Sequence, residues 1–187
     1  EIVETLARSA RSALLIVLII IFVVRSFVIQ PFFVKGSSME PNFEDGDYLI
    51  VNEIGYRISE PKRGDVIIFR YPNDPSEYFI KRIIGLPGET VQIDNGKVKI
   101  FNAEHPEGFL LDEGTYLADS VITAGSDLEE LGGAEYYVLG DNRGASSDSR
   151  RWGVLDKNYI IGKAWVRAWP FDSMSVFESF DYDGASN

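Results

Sequence analysis

The chain of 187 residues contains no cysteine and a single histidine, His105. The first absence excludes disulfides, thiolate metal sites and a cysteine nucleophile, and it leaves the compartment open. The second excludes any mechanism that needs two imidazoles. Lysine and arginine are missing from Phe101 to Asp141, where ten acidic residues stand alone. The rest of the chain has 18 basic residues against 19 of the 29 acidic ones, so the formal charge of −11 belongs almost wholly to this stretch. Such a block reads as a solvated surface insertion, about residues 101–137. It argues against nucleic acid as a partner, because phosphate contact needs clustered Lys and Arg. A phosphate-cradling glycine loop is also absent.

With 45% hydrophobic and 13% aromatic residues, the chain is neither disordered nor collagen-like, and its length suits one domain with a real core. From Ala13 to Val24 every residue is apolar, and the span from Ala10 to Ile29 is broken only by Arg11, Ser12, Arg25 and Ser26. A transmembrane helix needs about 20 residues, and a shorter run also suits a buried helix or the core of a cleaved leader. Three features favour a retained anchor: β-branched residues on every face, arginines at both ends able to snorkel, and no small-residue cleavage site just beyond. Residues 1–29 are therefore expected to form a cytoplasmic stub and one transmembrane helix, and residues 30–187 an extracytoplasmic domain. Two arginines before the run against one after it lean toward that orientation.

After Pro31 the pattern becomes short β-branched and aromatic runs: DYLIVNEI, GDVIIFRY, YFIKRIIG, ETVQID, KVKIF, YYVLG and IIGKAWVRAW. Turn signals separate them, and Asp94-Asn95-Gly96 is a tight-hairpin sequence. Strands at this spacing without intervening amphipathic helices predict a mainly β protein built of antiparallel sheet, as a sandwich or a barrel. Arg63-Gly64-Asp65 has the form of an adhesion tripeptide, but it leads into VIIFRY and reads as a turn before a strand.

Ser37 and Ser38 follow Gly36. A serine in such a loop is ordinarily a turn residue, and its hydroxyl is a poor nucleophile until a base takes its proton. His105 sits beside Pro106 in the acidic block, so lysine is the next candidate. Holding a lysine about two pH units below its ordinary pKa of about 10.4 costs roughly 2.7 kcal/mol and demands an apolar setting. Lys81 has the most apolar one, Tyr78-Phe79-Ile80-Lys81-Arg82-Ile83-Ile84. Strand alternation puts Phe79, Lys81 and Ile83 on one face; the same segment also suits an edge strand guarded by charge. The stretch Gly140 to Arg150 reads as a loop built by internal hydrogen bonds, with Asp141 or Asp148 pairing with Arg143 or Arg150. Its interspersed arginines make a poor cage for a cation, and no metal or cofactor is expected.

Ser38-Met39-Glu40-Pro41, Lys62-Arg63-Gly64-Asp65-Val66, Lys81-Arg82-Ile83-Ile84-Gly85-Leu86-Pro87-Gly88, and Gly140-Asp141-Asn142-Arg143 through Asp148-Ser149-Arg150 resemble, in order, the conserved boxes of bacterial type I signal peptidases. The preceding apolar run fits as well, and only the acidic stretch falls outside the resemblance. It implies a β-rich catalytic domain, Ser38 as nucleophile, Lys81 as general base, and Ser146 orienting the lysine amine. Asp141, Arg143, Asp148 and Arg150 would hold the loop, and Phe32, Val34, Met39, Phe79 and Ile80 would line the substrate pocket. Substrates would be exported preproteins cut after small residues at the −1 and −3 positions, by a monomer seated in the lipid bilayer of the cell membrane. Asn42 stands where the family often has Thr. Gly36 stands where many members place an oxyanion-binding serine, so its amide becomes the second oxyanion donor by default, beside that of Ser38.

Two other readings compete. One is a non-catalytic, membrane-anchored binding or assembly protein whose polar loops are structural. The other is a Ser–Lys regulator that cleaves itself, which needs a DNA-reading helical domain where the apolar run stands.

Overall fold

The computed structural model describes residues 11, 13–17 and 29–177. Most of the apolar run, and with it the expected anchor, lies outside the described residues; residues 13–17 are helical and exposed. Among the described residues no helix is long and apolar enough to cross a membrane.

The described residues form two sheets, and every strand pairing in them is antiparallel. The larger sheet runs β1 (Ile29–Phe33), β2 (Tyr48–Asn52), β11 (Ile160–Trp169), β3 (Val66–Tyr71), β4 (Asp74–Gly85), β9 (Glu135–Leu139) and β10 (Leu155–Asp156), with β12 (Ser175–Val176) also on β11. The smaller sheet runs β7 (Phe109–Leu110), β6 (Lys97–Phe101), β5 (Thr90–Asp94) and β8 (Leu128–Glu130). The mainly antiparallel β architecture read from the sequence is the one observed. Among residues 29–177, two single-turn helices interrupt it besides short 3-10 segments, α1 (Gly55–Ile58) and α2 (Ser149–Trp152).

The strands form where β-branched runs meet turn chemistry. Asp94 pairs with Lys97, and the two residues between them, Asn95 and Gly96, both have positive φ, 50° and 81°, as the predicted two-residue hairpin requires. Strand β1 was not anticipated. It contains Pro31, which has no amide to donate, and it survives because it lies at the sheet edge.

Three clusters form the core. In β3, Val66 and Ile68 pack with Leu49, Ile80 and the loop residues Met39 and Phe43 on one face. Ile67 and Phe69 pack with Ile83 and Val138 on the other. A third cluster joins Ile84 and Leu139 to Val91, Ile93 and Ile100 of the smaller sheet. Strand β3 is thus buried on both faces, and β4 beside it is interior, not an edge. Arg63 and Asp65, before β3, are both buried and paired with Glu89 at 2.6 Å and Lys163 at 2.8 Å, which leaves no exposed tripeptide.

Candidate active site

The β4–β9 ladder ends at the pair Arg82–Leu139. Beyond Leu139 the chain leaves β9 as the loop of residues 140–148, which comes to lie beside Lys81. From the other side comes the loop between β1 and β2, carrying Ser38. Its base is closed by reciprocal backbone bonds, Val34 N to Asp47 O and Gly46 N to Val34 O, and Met39 and Phe43 anchor it in the core at 1% exposure each.

The two elements bring together residues 43 positions apart. Lys81 Nζ donates to Ser38 Oγ at 2.8 Å and to the Ile80 carbonyl at 2.6 Å, and lies 5.4 Å from the centre of the Phe79 ring. Lys81 is 3% exposed. Burial disfavours its charged form and lowers its pKa to about 8; the carboxylates of Asp148 and Asp141 pull the other way. At neutral pH roughly one amine in ten is then uncharged, against fewer than about one in a thousand for a solvated lysine. That uncharged amine can accept the hydroxyl proton, reversing the direction of the hydrogen bond. The acidic limb of kcat/KM is accordingly expected near pH 8, and a stopped assay from pH 6 to 10 checks it; a limb near 10.5 would mean a solvated amine.

The other expected loop residues are fixed by a dense network. Asp148 caps α2, where its side chain accepts from the Arg150 amide, and it pairs with the Arg150 guanidinium at 2.7 Å. It also accepts from the Gly140 amide at 3.0 Å. These donors outweigh burial and hold its carboxyl below the usual range. Ser146 is buried, and its hydroxyl has no well-formed hydrogen-bond partner, although it lies close enough to Asp148 to help stabilise that charge. Asp141 pairs not within its own loop but with Arg82 of β4, accepting from Nε at 2.8 Å and Nη2 at 2.7 Å. Arg143 reaches the acidic stretch, where it pairs with Glu113 and Thr123.

Several residues that hold the site were not singled out by sequence. Asn142 fastens the serine loop twice, its amide to Ser38 O and its side chain to Ser37 O, both at 3.0 Å. Gly140 permits the approach. A Cβ there would lie 2.2 Å from Ser146 Oγ and 2.4 Å from Ser38 O, so no larger residue fits without moving the serine backbone. Asn42, noted only as a departure from Thr, donates to Asp141 Oδ2 at 2.9 Å and to the Tyr116 carbonyl at 2.8 Å. Gly36 requires a correction. Its amide already donates to Asp45 Oδ1 at 2.7 Å, so the N–H assigned to an oxyanion faces a carboxylate instead.

Ser38 and Lys81 open into a cleft of about 810 Å³. Its walls include Phe32, Val34, Phe79 and Ile80, with Ala145 and Ser147 from the 140–148 loop. Met39 lies beneath, in the core, and does not line it. His105 packs against Phe109 in the smaller sheet. Among the described residues no group of His, Asp and Glu is placed to hold a metal ion.

A hydroxyl touching a desolvated amine at an apolar cleft is the equipment of a serine peptidase that works without histidine. The sequence comparisons with known proteins agree with that class. The family model described as "Signal peptidase, peptidase S26" matches residues 6–169, and the chain belongs to this family of serine peptidases. Signal peptidase IB of Staphylococcus aureus (strain Mu50 / ATCC 700699) is 34% identical over 164 residues, covering 82% of this chain and 84% of the relative. Signal peptidase I of Pseudomonas aeruginosa PAO1 is 33% identical over 216 residues, covering 90% and 75%. A solved structure of a signal peptidase I from Enterococcus faecalis V583 aligns at 28% identity with a TM-score of 0.46, over 57% of this chain and 97% of that one.

Proposed function

We propose that the chain is a membrane-anchored endopeptidase that removes signal peptides from exported preproteins, with Ser38 as nucleophile and Lys81 as general base. The observation that carries this reading is the 2.8 Å contact between Lys81 Nζ and Ser38 Oγ at a nearly dry site. Neutral Lys81 takes the Ser38 proton as Oγ attacks the scissile carbonyl carbon. The tetrahedral intermediate collapses to an acyl-enzyme when the C–N bond breaks and the protonated amine returns its proton to the leaving nitrogen. Water, deprotonated by the same amine, then releases the acyl group and restores the serine. The Ser38 amide is the donor assigned to the oxyanion, and the otherwise unsatisfied Ser146 hydroxyl is assigned to orient the amine.

Small residues at −1 and −3 suit a cleft walled by Phe32, Val34, Phe79 and Ile80, since bulk in the wall leaves little depth for a substrate side chain. The membrane part of the reading rests on the apolar run at residues 13–24, together with a row of exposed apolar side chains on and after β11: Trp165, Trp169, Phe171, Met174 and Val176. Tryptophans of this kind favour the bilayer interface. The localisation proposed is a single span of the cell membrane with residues 30–187 outside the cytoplasm, acting as a monomer. The test is mass spectrometry of a signal-peptide-bearing preprotein incubated in detergent with the wild-type protein and with Ser38→Ala. Cleavage at one bond is expected with the first and none with the second; equal cleavage by both removes Ser38 from the mechanism.

A further inference from the structure

The acidic stretch lies outside the motifs that suggest a peptidase, yet one of its turns is built into the loops that hold the site. Residues 113–117 form a single turn, with Tyr116 N and Leu117 N both donating to Glu113 O. Three contacts run from it to the loops and strand that hold the site. Glu113 accepts from Arg143 Nη1 at 3.1 Å and pairs with Nη2. Tyr116 OH donates to Glu113 Oε1 at 2.7 Å, fixing the carboxylate. The Tyr116 ring lies under the Arg82 guanidinium, 4.1 Å from its centre. The Tyr116 carbonyl accepts from Asn42, four residues after the serine.

Two of these contacts end on residues close to the reacting groups. Arg82 is the residue after Lys81. Arg143 Nε donates to Gly140 O at 3.0 Å, and Gly140 is the position whose fit against Ser38 O and Ser146 Oγ admits no side chain. The Arg143 side chain is only 1% exposed and that of Glu113 14%, so their charge-assisted bond is shielded from water and strongly directional. A solvated insertion has no reason to spend its carboxylate this way.

We infer that Glu113, held by Tyr116, is a positioning residue for the Ser38–Lys81 pair, acting through Arg143 and Gly140. The inference rests on the proposed roles of Ser38 and Lys81. It makes the turn at residues 113–117 a clamp: the acidic stretch sets the distance between nucleophile and base while touching neither.

The test measures kcat and KM for cleavage of a signal-peptide-bearing preprotein by the full chain in detergent, with the unfolding midpoint of every variant. Glu113→Gln, which keeps shape but not charge, is expected to lower kcat about tenfold with KM within twofold, and Glu113→Asp to retain more activity than Gln. Tyr116→Phe keeps the ring under Arg82 and loses only the hydroxyl; a fall in kcat of about threefold is expected, and this variant decides the question alone if Glu113→Gln does not fold. In the double variant with Arg143→Gln, the Glu113→Gln loss should vanish, because both act along one path. Unchanged kcat in the single variants, a rise in KM alone, or additive losses in the double variant overturns the inference. Ser38→Ala separates it from the reading beneath: if that variant still cleaves, the Ser38–Lys81 assignment fails, whereas an inactive Ser38→Ala beside a fully active Glu113→Gln sinks the clamp only.

Discussion

Lys81→Met is expected to stop turnover while making the protein harder to unfold at pH 7. Loss of a general base that acts as a unit with its nucleophile costs about 10⁴-fold or more in kcat. Stability should move the other way. With a folded pKa of about 8 against an ordinary value of 10.5, keeping the protonated amine in the fold costs about 3 kcal/mol. Methionine removes that cost but leaves the Ile80 carbonyl without its donor, which returns about 1 kcal/mol. The net gain is about 2 kcal/mol, or about 4–8 °C in a chain of this size. Its pH window follows from the sign of the shift. Below about pH 8 the lysine is protonated both folded and unfolded, and the full cost is present. Between 8 and 10.5 only the unfolded chain holds the proton, so wild-type stability rises with pH and the advantage of methionine shrinks. Unfolding midpoints of both proteins at pH 7 and pH 10 measure this; a gap that stays constant would show that the lysine is not desolvated.

Asp141→Asn should do the reverse to stability. Asp141 is 2% exposed and accepts from Arg82 twice and from Asn42 once. The amide that replaces it turns a donor toward a buried guanidinium, and breaking a buried pair from one side costs about 3–5 kcal/mol, or about 6–20 °C. A second effect separates this from simple loosening. The Asp141 charge favours protonated Lys81, so its removal should carry the acidic limb of kcat/KM below the wild-type position. A limb moving to higher pH would contradict the electrostatic link between the two residues.

The antiparallel β architecture and most long strands were legible because β-branched runs and the Asn95-Gly96 turn are local signals. So was the apolar setting of Lys81, which its flanking residues supply. What stayed hidden depends on pairing across the fold. Asp141 was expected to find an arginine within its own loop and instead finds Arg82, 59 positions away. Arg143 finds Glu113, one of many acids in a stretch with no motif to mark it. The Gly36 amide was assigned by default, and Asp45 claims it through a loop closure that no spacing rule reports. Pro31 concealed β1, since proline is admissible in a strand only at an edge, and edges are settled by topology.

Strand β4 crosses from water into the interior along its own length: Asp74 to Tyr78 are exposed, Phe79 is half-buried, and Ile80 to Gly85 are buried. The amine of Lys81 stands just inside that shoreline, and the cleft proposed to receive a polypeptide is also its opening to bulk solvent. One doorway therefore serves two visitors in turn. On the proposed mechanism, a chain lying in the cleft would shut out water while the first bond breaks, and the departure of one fragment would reopen the passage for the molecule that finishes the hydrolysis.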